Sequence, residues 1–283
     1  MRWKWSKVGA PIDPKLASDI CIRQGRVSDP PSFRSATMMR FHVLTLFPEM
    51  FASPLSVSII ARAQKQGLVE VNLHNIRDFS HDRHNTVDDY AFGGGPGMVM
   101  KPEPLFECVE HVRESASLNE YVPTVLMTPQ GRRFDQRIAE EYAELSDIVI
   151  ICGRYEGVDE RVRQNLVTDE LSVGDYVLGG GELAAMVVID AVSRLIRGGV
   201  GSEESPANDS YTTGRLQHPL YTRPSEYRGM EAPDVLLSGH HAEIAMWQRR
   251  EALRRTLERR PDLLESADLS DEDRRLLDEL SAE

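Results

Sequence analysis

Short apolar runs alternate with longer amphipathic segments along most of this sequence, and this alternation restricts the possible folds more than any other feature. Four runs have the length and apolar content of buried strands: residues 41–46, 68–73, 124–127 and 147–152. Apolar residues recur at helical spacing over residues 58–66, 104–114, 136–145 and 183–196. Parallel strands joined by helical crossovers are buried on both faces. The sequence therefore predicts an α/β fold, with a mainly parallel sheet covered by helices on both faces.

The pattern changes on either side of this first domain, which is predicted over residues 39–198. Residues 1–38 are rich in Pro, Ser and Arg without sustained periodicity, which predicts a disordered N-terminal extension. Residues 199–214 are rich in Gly, Ser and Glu and are predicted to form an interdomain linker. Beyond the linker, residues 215–283 have helical periodicity and predict a small helical C-terminal domain. Its main helices are predicted over residues 240–259 and 271–280.

Charge is distributed unevenly along the chain, whose net charge is −12. Residues 1–40 hold eight Lys/Arg against three Asp/Glu, a balance of +5. Residues 240–260 hold six Arg against three Glu, a balance of +3. Association with a polyanion depends on the local potential rather than on the total charge. The composition is therefore compatible with an RNA partner, although the acidic total weakens that interpretation.

The sequence lacks the signals of membrane and secreted proteins. No segment approaches about 18 consecutive apolar residues, and the basic N-terminus lacks the apolar core of a secretory signal. The cysteines Cys21, Cys108 and Cys152 form no C-x-x-C motif and no disulfide pattern. We therefore expect a cytoplasmic protein. Cys152 lies within an apolar run, so we interpret it as a small buried hydrophobe rather than a nucleophile.

Two loops in the middle of the chain leave a functional and a structural interpretation open. The glycine-rich loop of residues 93–98 has the flexibility to cradle a phosphate, but it lacks the ending of a P-loop and the spacing of a dinucleotide fingerprint. We favour a tight, closely packed loop. His81 and His84 raise the possibility of a metal site, yet no second His/Cys pair lies nearby in the sequence. A structural or RNA-facing polar loop is the favoured interpretation.

Two further segments are stronger candidates for a ligand site. Gly153-Arg154-Tyr155-Glu156-Gly157 directly follows the predicted strand 147–152. Ligands of α/β proteins bind at the carboxyl ends of strands, and charged residues there are hard to explain as core. In residues 172–182 three consecutive glycines lead into the helix predicted over 183–196. Such a loop presents bare amide groups that suit a nucleoside, whereas the alternative is simply a glycine-rich helix start.

These motifs, in this order, resemble the bacterial tRNA (guanine-N1)-methyltransferases of the SPOUT superfamily. The resemblance extends over roughly residues 39–280, so it does not depend on one short motif. The matching segments are residues 46–51, 77–84, 86–89, 93–98, 128–131, 153–157, 172–182, 218–224 and 236–244. The family likeness implies a deep trefoil knot at the C-terminal end of the sheet, formed by loops at 127–131, 152–157 and 172–181. It also implies that residues 215–283 bind tRNA.

The resemblance implies S-adenosylmethionine as the methyl donor, held by the three loops in a bent form. It further implies a homodimer in which the partner's C-terminal domain completes each active site. Dependence on Mg²⁺ is implied by the family alone, since no metal-ligand cluster is visible in the sequence. The residues implied to bind the donor are Thr128, Pro129, Gln130, Gly131, Gly153, Tyr155, Gly157, Ser172, Val173, Gly174, Asp175, Tyr176, Val177, Leu178, Gly180 and Gly181.

The reaction implied by the resemblance is methylation of N1 of the guanine at tRNA position 37, beside the anticodon. By resemblance Asp209 is the general base and Arg194 stabilises charge on the guanine O6. Arg154 and Glu156 are implied to orient guanine and donor. Spacing alone would leave Asp209 as a solvated linker residue, and only the family likeness gives it a catalytic role.

Other functions remain open at this point. Another SPOUT enzyme would methylate a ribose hydroxyl or a different base, but the linker with Asp209 and residues 219–224 resemble the guanine-N1 group. A non-catalytic RNA-binding module would not be expected to carry the four residues Arg154, Glu156, Arg194 and Asp209. An ordinary Rossmann oxidoreductase is excluded because no G-x-G-x-x-G follows the first strand.

Overall fold

The computed structural model describes residues 38–196, Gly198 and residues 209–282. The chain divides into two compact units, one up to Val200 and the other from Gly201. The predicted N-terminal extension, apart from Met38, and residues 199–208 of the predicted linker lie outside the described residues. No helix within the described ranges is both long and apolar enough to cross a membrane.

A five-stranded parallel sheet forms the centre of the first unit. Its strands are β1 (Met39–Thr45), β2 (Val69–Asn75), β5 (Thr124–Arg133), β6 (Asp147–Cys152) and β7 (Asp169–Ser172). Their order across the sheet is β2-β1-β6-β5-β7, and every neighbouring pair is parallel. A separate antiparallel hairpin consists of β3 (Asp88–Tyr90) and β4 (Met98–Met100). The parallel arrangement confirms the fold class predicted from the sequence.

Helices cover both faces of this sheet. They are α1 (Ala52–Leu55), α2 (Ser58–Lys65), α3 (Pro102–Ser115), α4 (Gln136–Ala143), α5 (Glu160–Asn165) and α6 (Glu182–Leu195), with 3₁₀ turns at Pro48–Phe51 and Ile76–Phe79. Along β6, Ile148 and Ile150 pack into the core shared with α2, α4 and α6, whereas Val149 and Ile151 pack into the core shared with α3 and α5. Alternate residues of a strand point to opposite faces, so an uninterrupted apolar run fills both cores.

Local sequence signals fix where several of these elements begin and end. Helix α4 begins after Asp135, whose side chain accepts the backbone N–H of Ile138 at 3.0 Å. Helix α5 begins after Asp159, which accepts the N–H of Arg161. A carboxylate at this position satisfies an N–H group that has no partner within the helix. Gly67 follows α2 with a φ of 69°, a backbone conformation that favours glycine, and confirms the predicted helix end.

Strand β5 is interrupted where it reaches the carboxyl edge of the sheet. Met127 and Arg132 both pair with Leu171 of β7, so the four residues between them have no partner in the ladder. Residues 128–131 therefore bulge out of the sheet. The sequence predicted that the strand ends at Met127, whereas the chain returns to pair again at Arg132 and Arg133.

The second unit is helical, which confirms the prediction of a small C-terminal helical domain. It contains a two-residue hairpin of β8 (Glu226–Tyr227) and β9 (Met230–Glu231), and the helices α7 (Asp234–Leu237), α8 (His241–Arg259), α9 (Pro261–Ser266) and α10 (Asp271–Ala282). Leu253 and Thr256 of α8 are fully buried, and Leu276 of α10 is nearly so. The Thr256 hydroxyl donates to the Ala252 carbonyl and accepts the N–H of Leu216.

A buried carboxylate joins the two long helices of this unit. Asp273, 4% exposed at the start of α10, accepts hydrogen bonds from Arg215 at 3.0 Å, Arg249 at 2.7 Å and the Ser270 hydroxyl at 2.8 Å. Arg249 also pairs with Glu272. The hydrogen bond from Arg249 is the largest of the effects that hold the pKa of Asp273 well below its usual range. Arg249, one of the arginines of α8, is therefore structural in this unit.

Candidate active site

A cavity of about 310 Å³ lies where β5, β6 and β7 end at the carboxyl edge of the sheet. Three chain segments form its walls: the bulge of β5, the loop after β6, and the glycine-rich loop between β7 and α6. In open α/β sheets this edge is the usual place for a ligand. The cavity is within the range of about 300–1,000 Å³ that is typical of small-molecule sites.

Most of the residues predicted to bind the donor line this cavity. They are Thr128, Pro129, Gln130, Gly153, Tyr155, Gly157, Ser172, Val173, Gly174, Tyr176, Val177, Leu178, Gly180 and Gly181, joined by Arg154 and Glu156. Two predicted residues do not line it. Gly131 packs against the backbone of Glu170 and Leu171 so closely that a Cβ at this position would clash with it. The Asp175 side chain is 93% exposed and lies 3.7 Å from Arg133.

Two lining residues, Met127 and Gly179, lie in the loops implied to hold the donor but were not predicted as individual contacts. The lining residues that were not predicted at all are Leu126, Val158, Glu160, Arg163, Leu171 and Ala184. Glu160 and Arg163 belong to α5, and Leu171 belongs to β7, two short elements that the sequence analysis did not predict. The Asp159 helix cap was the signal that could have located α5.

The glycine loop packs directly on the loop after β6. The Gly181 N–H donates to the Gly153 carbonyl at 2.8 Å. A Cβ on Gly181 would lie 2.8 Å from the Cys152 Cα, closer than real Cβ contacts, and 3.0 Å from the Gly153 nitrogen, tighter than most of them. Arg154 and Gly180 form an isolated antiparallel bridge. The segments implied to interlace in a knot are thus in contact, and the knot itself stays a prediction.

Arg154 lies in the wall of the cavity rather than extending into it. Its Nε donates to Glu182 Oε2 at 2.9 Å and its NH1 donates to the Gly179 carbonyl at 3.0 Å. The guanidinium carbon lies 4.5 Å from the centre of the Phe47 ring, an attractive cation–π geometry. The side chain of Arg154 is only 20% exposed and that of Glu182 is 0% exposed.

The β3–β4 hairpin reaches the site through its second strand. The Glu156 N–H donates to the Met98 carbonyl at 2.9 Å, and the Glu156 side chain occupies the space where a Cβ of Gly97 would lie. The packed-loop interpretation of residues 93–98 is therefore right at Gly97. It is wrong for residues 93–95, where a Cβ would meet no atom within 4 Å. Glycine is favoured there by φ values of +81° to +118° instead.

The implied general base, Asp209, and the residue implied to stabilise charge on O6, Arg194, lie outside the three chain segments that form the cavity walls. Arg194 is in the last turn of α6, roughly 18 Å along the helix axis from Glu182 at its first residue. It does not line the cavity. Asp209 is half-buried in the second compact unit. It directly precedes a turn in which the Tyr211 N–H donates to the Arg215 carbonyl at 2.9 Å.

The described residues do not fit a protein-held metal ion. Across the described ranges, no group of three His, Cys, Asp or Glu side chains is close enough to bind one. His81 hydrogen bonds to Glu107 at 2.7 Å, and Asp82 accepts the N–H groups of His84 and Thr86. These contacts agree with the polar-loop interpretation of this segment, and we derive no step through Mg²⁺.

The cysteine prediction is also confirmed. Cys152 is fully buried, and burial raises the pKa of its thiol well above the ordinary value, with a smaller contribution from the Glu182 charge. A thiol that stays protonated is a poor nucleophile. Cys152 is therefore a packing residue of the hydrophobic core, at the edge of the cavity.

The fold and the cavity together define a class of protein: a parallel α/β domain with a cavity of small-molecule size beyond its strand ends, followed in the same chain by a helical unit. The particular family follows from comparison with known proteins. The family model described as tRNA (Guanine-1)-methyltransferase TrmD matches residues 39–266. The chain belongs to this family of SPOUT methyltransferases.

Relatives with the name tRNA (guanine-N(1)-)-methyltransferase cover nearly the same part of the chain. One from Dehalococcoides mccartyi is 58% identical over 245 residues, which are 87% of this chain and 98% of the relative. One from Geotalea uraniireducens is 57% identical over 242 residues, covering 86% and 97%. One from Anoxybacillus flavithermus is 54% identical over 242 residues, covering 85% and 98%.

Proposed function

We propose that this chain methylates N1 of the guanine at position 37 of tRNA, with S-adenosylmethionine as the methyl donor. The observation that carries the proposal is the cavity at the ends of β5, β6 and β7. Its walls are the segments through which the chain resembles the guanine-N1 methyltransferases. The names of the relatives specify the same base, the same atom and tRNA.

The lining of the cavity suits a nucleoside joined to an amino acid. The glycine loop lines the cavity with little side-chain bulk, so its backbone lies close to any bound purine, and Leu178 and Val177 provide apolar surface. The Thr128 hydroxyl already accepts the N–H of Gln130 at 3.3 Å and shapes the bulge. When bound, S-adenosylmethionine supplies a methyl group that is already activated on sulfur. The task of the chain is therefore to align acceptor and donor rather than to create a reactive group.

The acceptor, unlike the donor, must be activated by the protein. Guanine N1 carries a proton and is a poor nucleophile until that proton leaves. We assign the removal of the proton to the Asp209 carboxylate, and the stabilisation of charge on O6 to the Arg194 guanidinium. Glu156, an exposed residue of the cavity lining, is assigned to orient the guanine.

We further propose that the protein acts as a homodimer, as the resemblance implies. Leu183 and Val187 lie four residues apart on α6 and so share one side of the helix. They are 51% and 50% exposed, an unusual amount for large apolar side chains in a core helix. Arg194, at the opposite end of α6 from the cavity of its own chain, would then serve the partner's site. Light scattering on the purified chain is expected to give the mass of two copies.

The general-base assignment is tested by Asp209→Asn, which keeps the shape of the side chain and removes the basic carboxylate. We expect methyl transfer to fall by at least about 1,000-fold, within reach of general-base effects, while donor affinity stays within about threefold. Asp268→Asn, at an exposed aspartate of the same unit, is the matched control. Near-normal turnover by Asp209→Asn would refute the assignment.

The substrate is tested with labelled S-adenosylmethionine, a tRNA with guanine at position 37, and the same tRNA with that guanine replaced. Mass spectrometry of the digested product is expected to show 1-methylguanosine, and none from the replaced tRNA. A methylated ribose or another methylated base would favour a different SPOUT activity. Tight tRNA binding without any transfer would favour a non-catalytic RNA-binding module.

A further inference from the structure

Glu182 is a fully buried carboxylate to which the proposed reaction gives no role. It is the first residue of α6 and its side chain is 0% exposed. Oε1 accepts the Thr45 hydroxyl at 2.9 Å, and Oε2 accepts Arg154 Nε–H at 2.9 Å. A buried charge is costly unless it is paired and hydrogen bonded, so its presence requires an explanation.

The partner of Glu182 is held on several sides at once. Arg154 NH1 donates to the Gly179 carbonyl, NH2 lies 3.2 Å from the Met50 sulfur, and the guanidinium lies over the Phe47 ring. Its stem fills the space where a Cβ of Gly180 would lie. Arg154 thus connects Glu182 to the glycine loop, and its hydrogen bond to Glu182 fixes the orientation of the guanidinium.

We propose that Glu182 is a positioning residue for the methyl-donor cavity, acting through Arg154 on the wall at Gly179 and Gly180. This inference rests on the proposed function, because the donor is what the wall is proposed to hold. Through Thr45, at the end of β1, the same carboxylate ties the wall to the central sheet. Arg154 accordingly supports the cavity wall at Gly179 and is also part of the cavity lining.

The charge of Glu182 is essential to this role. In Glu182→Gln the side chain keeps its shape but loses its charge, and one of its two acceptor oxygens becomes an NH2 group, so it cannot accept from both Thr45 and Arg154. The guanidinium would then be left partly buried without its anion, and the loop carbonyl that it holds would shift. A misplacement of about 1 Å can cost about 100-fold in rate, and we expect a displaced wall to weaken donor affinity by about 10-fold or more.

The experiment measures binding of S-adenosylmethionine to the full chain by calorimetry, without tRNA, together with thermal unfolding. Glu182→Gln is expected to weaken donor affinity by about 10-fold or more while the KM for tRNA changes by less than about threefold. Adding Arg154→Met to Glu182→Gln is expected to weaken affinity little further, because residues that act as one unit are not additive. Thr45→Val removes only the second hydrogen bond of Glu182, and a smaller loss of affinity is expected.

The outcomes separate this inference from the proposed function. Failure of the unsubstituted chain to bind the donor would overturn the proposed function and this inference with it. Normal binding by the unsubstituted chain, with Glu182→Gln within threefold of it, would overturn the inference alone. A lower melting temperature with unchanged affinity would likewise show a purely structural role. If Glu182→Gln does not fold, Thr45→Val decides, because it perturbs Glu182 and leaves Arg154 in place: weaker donor binding would support the inference, and unchanged binding would overturn it.

Discussion

Replacing Gly181 by alanine isolates the packing of the cavity wall from its chemistry. The φ of Gly181 is −75°, which alanine adopts without strain, so the only perturbation is one added methyl group. That methyl would lie 2.8 Å from the Cys152 Cα, 3.0 Å from the Gly153 nitrogen and 3.1 Å from the Met127 Cβ. Two of these atoms are backbone and cannot rotate away. The loop must therefore move by several tenths of an ångström, and the hydrogen bond from Gly181 to Gly153 must lengthen.

Overpacking of this kind costs about 1–3 kcal/mol. For a unit of this size, about 2 kcal/mol lowers the melting temperature by roughly 4–8 °C. Calorimetric melting and S-adenosylmethionine titration of the same sample measure both consequences, and we expect affinity to fall by about 10-fold or more. Gly179→Ala is the matched comparison for stability, because its methyl would meet only the Arg154 NH1, at 4.0 Å. A Gly181→Ala protein with unchanged melting and affinity would refute this account of the wall.

Two further predictions concern stability. Asp273→Asn leaves Arg215 and Arg249 without their shared anion. We expect it to lower the free energy of unfolding by about 3 kcal/mol and the melting temperature of the second unit by about 12 °C or more. Asp271→Asn, at an exposed site, should lower the free energy of unfolding by under about 1 kcal/mol. Equal effects of the two would contradict the pairing. Burial, with the neighbouring His42, lowers the pKa of His74 from 6.5 to about 4, so the unfolded chain binds a proton that the folded chain does not. The first unit should therefore lose stability as the pH falls from about 6.5 to about 4, and His74→Gln should flatten that dependence in melting experiments at a series of pH values.

The main parallel sheet was predictable because its strands are buried on both faces. The run at β6 is apolar at nearly every position, so the physical signal is strong and its predicted bounds, 147–152, match the structure. Strand β7 gives no such signal: Asp169 and Glu170 precede Leu171, and only the last residues of the strand are buried. It pairs with β5 on both sides of the bulge: Asp169 and Glu170 pair with residues before it, and Ser172 pairs with Arg133 after it. That pairing is a tertiary event that no local pattern records.

The site was predictable in its location and less so in the roles of its residues. Glycines after a buried strand indicate a ligand edge, and the cavity lies at that edge. The Arg154–Glu182 pair joins residues 28 positions apart, and the Thr45–Glu182 bond joins residues 137 positions apart. Neither pairing has a spacing signature. From the sequence alone, Glu182 was only the residue that follows three glycines.

Those glycines illustrate the difference between a pattern and its cause. On the sequence alone they suggested bare amides for a nucleoside, with a glycine-rich helix start as the alternative. In the structure the Gly181 amide is already used by the Gly153 carbonyl, and the missing side chains at Gly180 and Gly181 make room for Arg154 and for the Cys152 backbone. Two of the three glycines are thus required where one loop crosses closely over another. Close crossing is also what a knot would impose, so the packing of the loops, rather than a direct contact with the donor, accounts for glycine at these two positions.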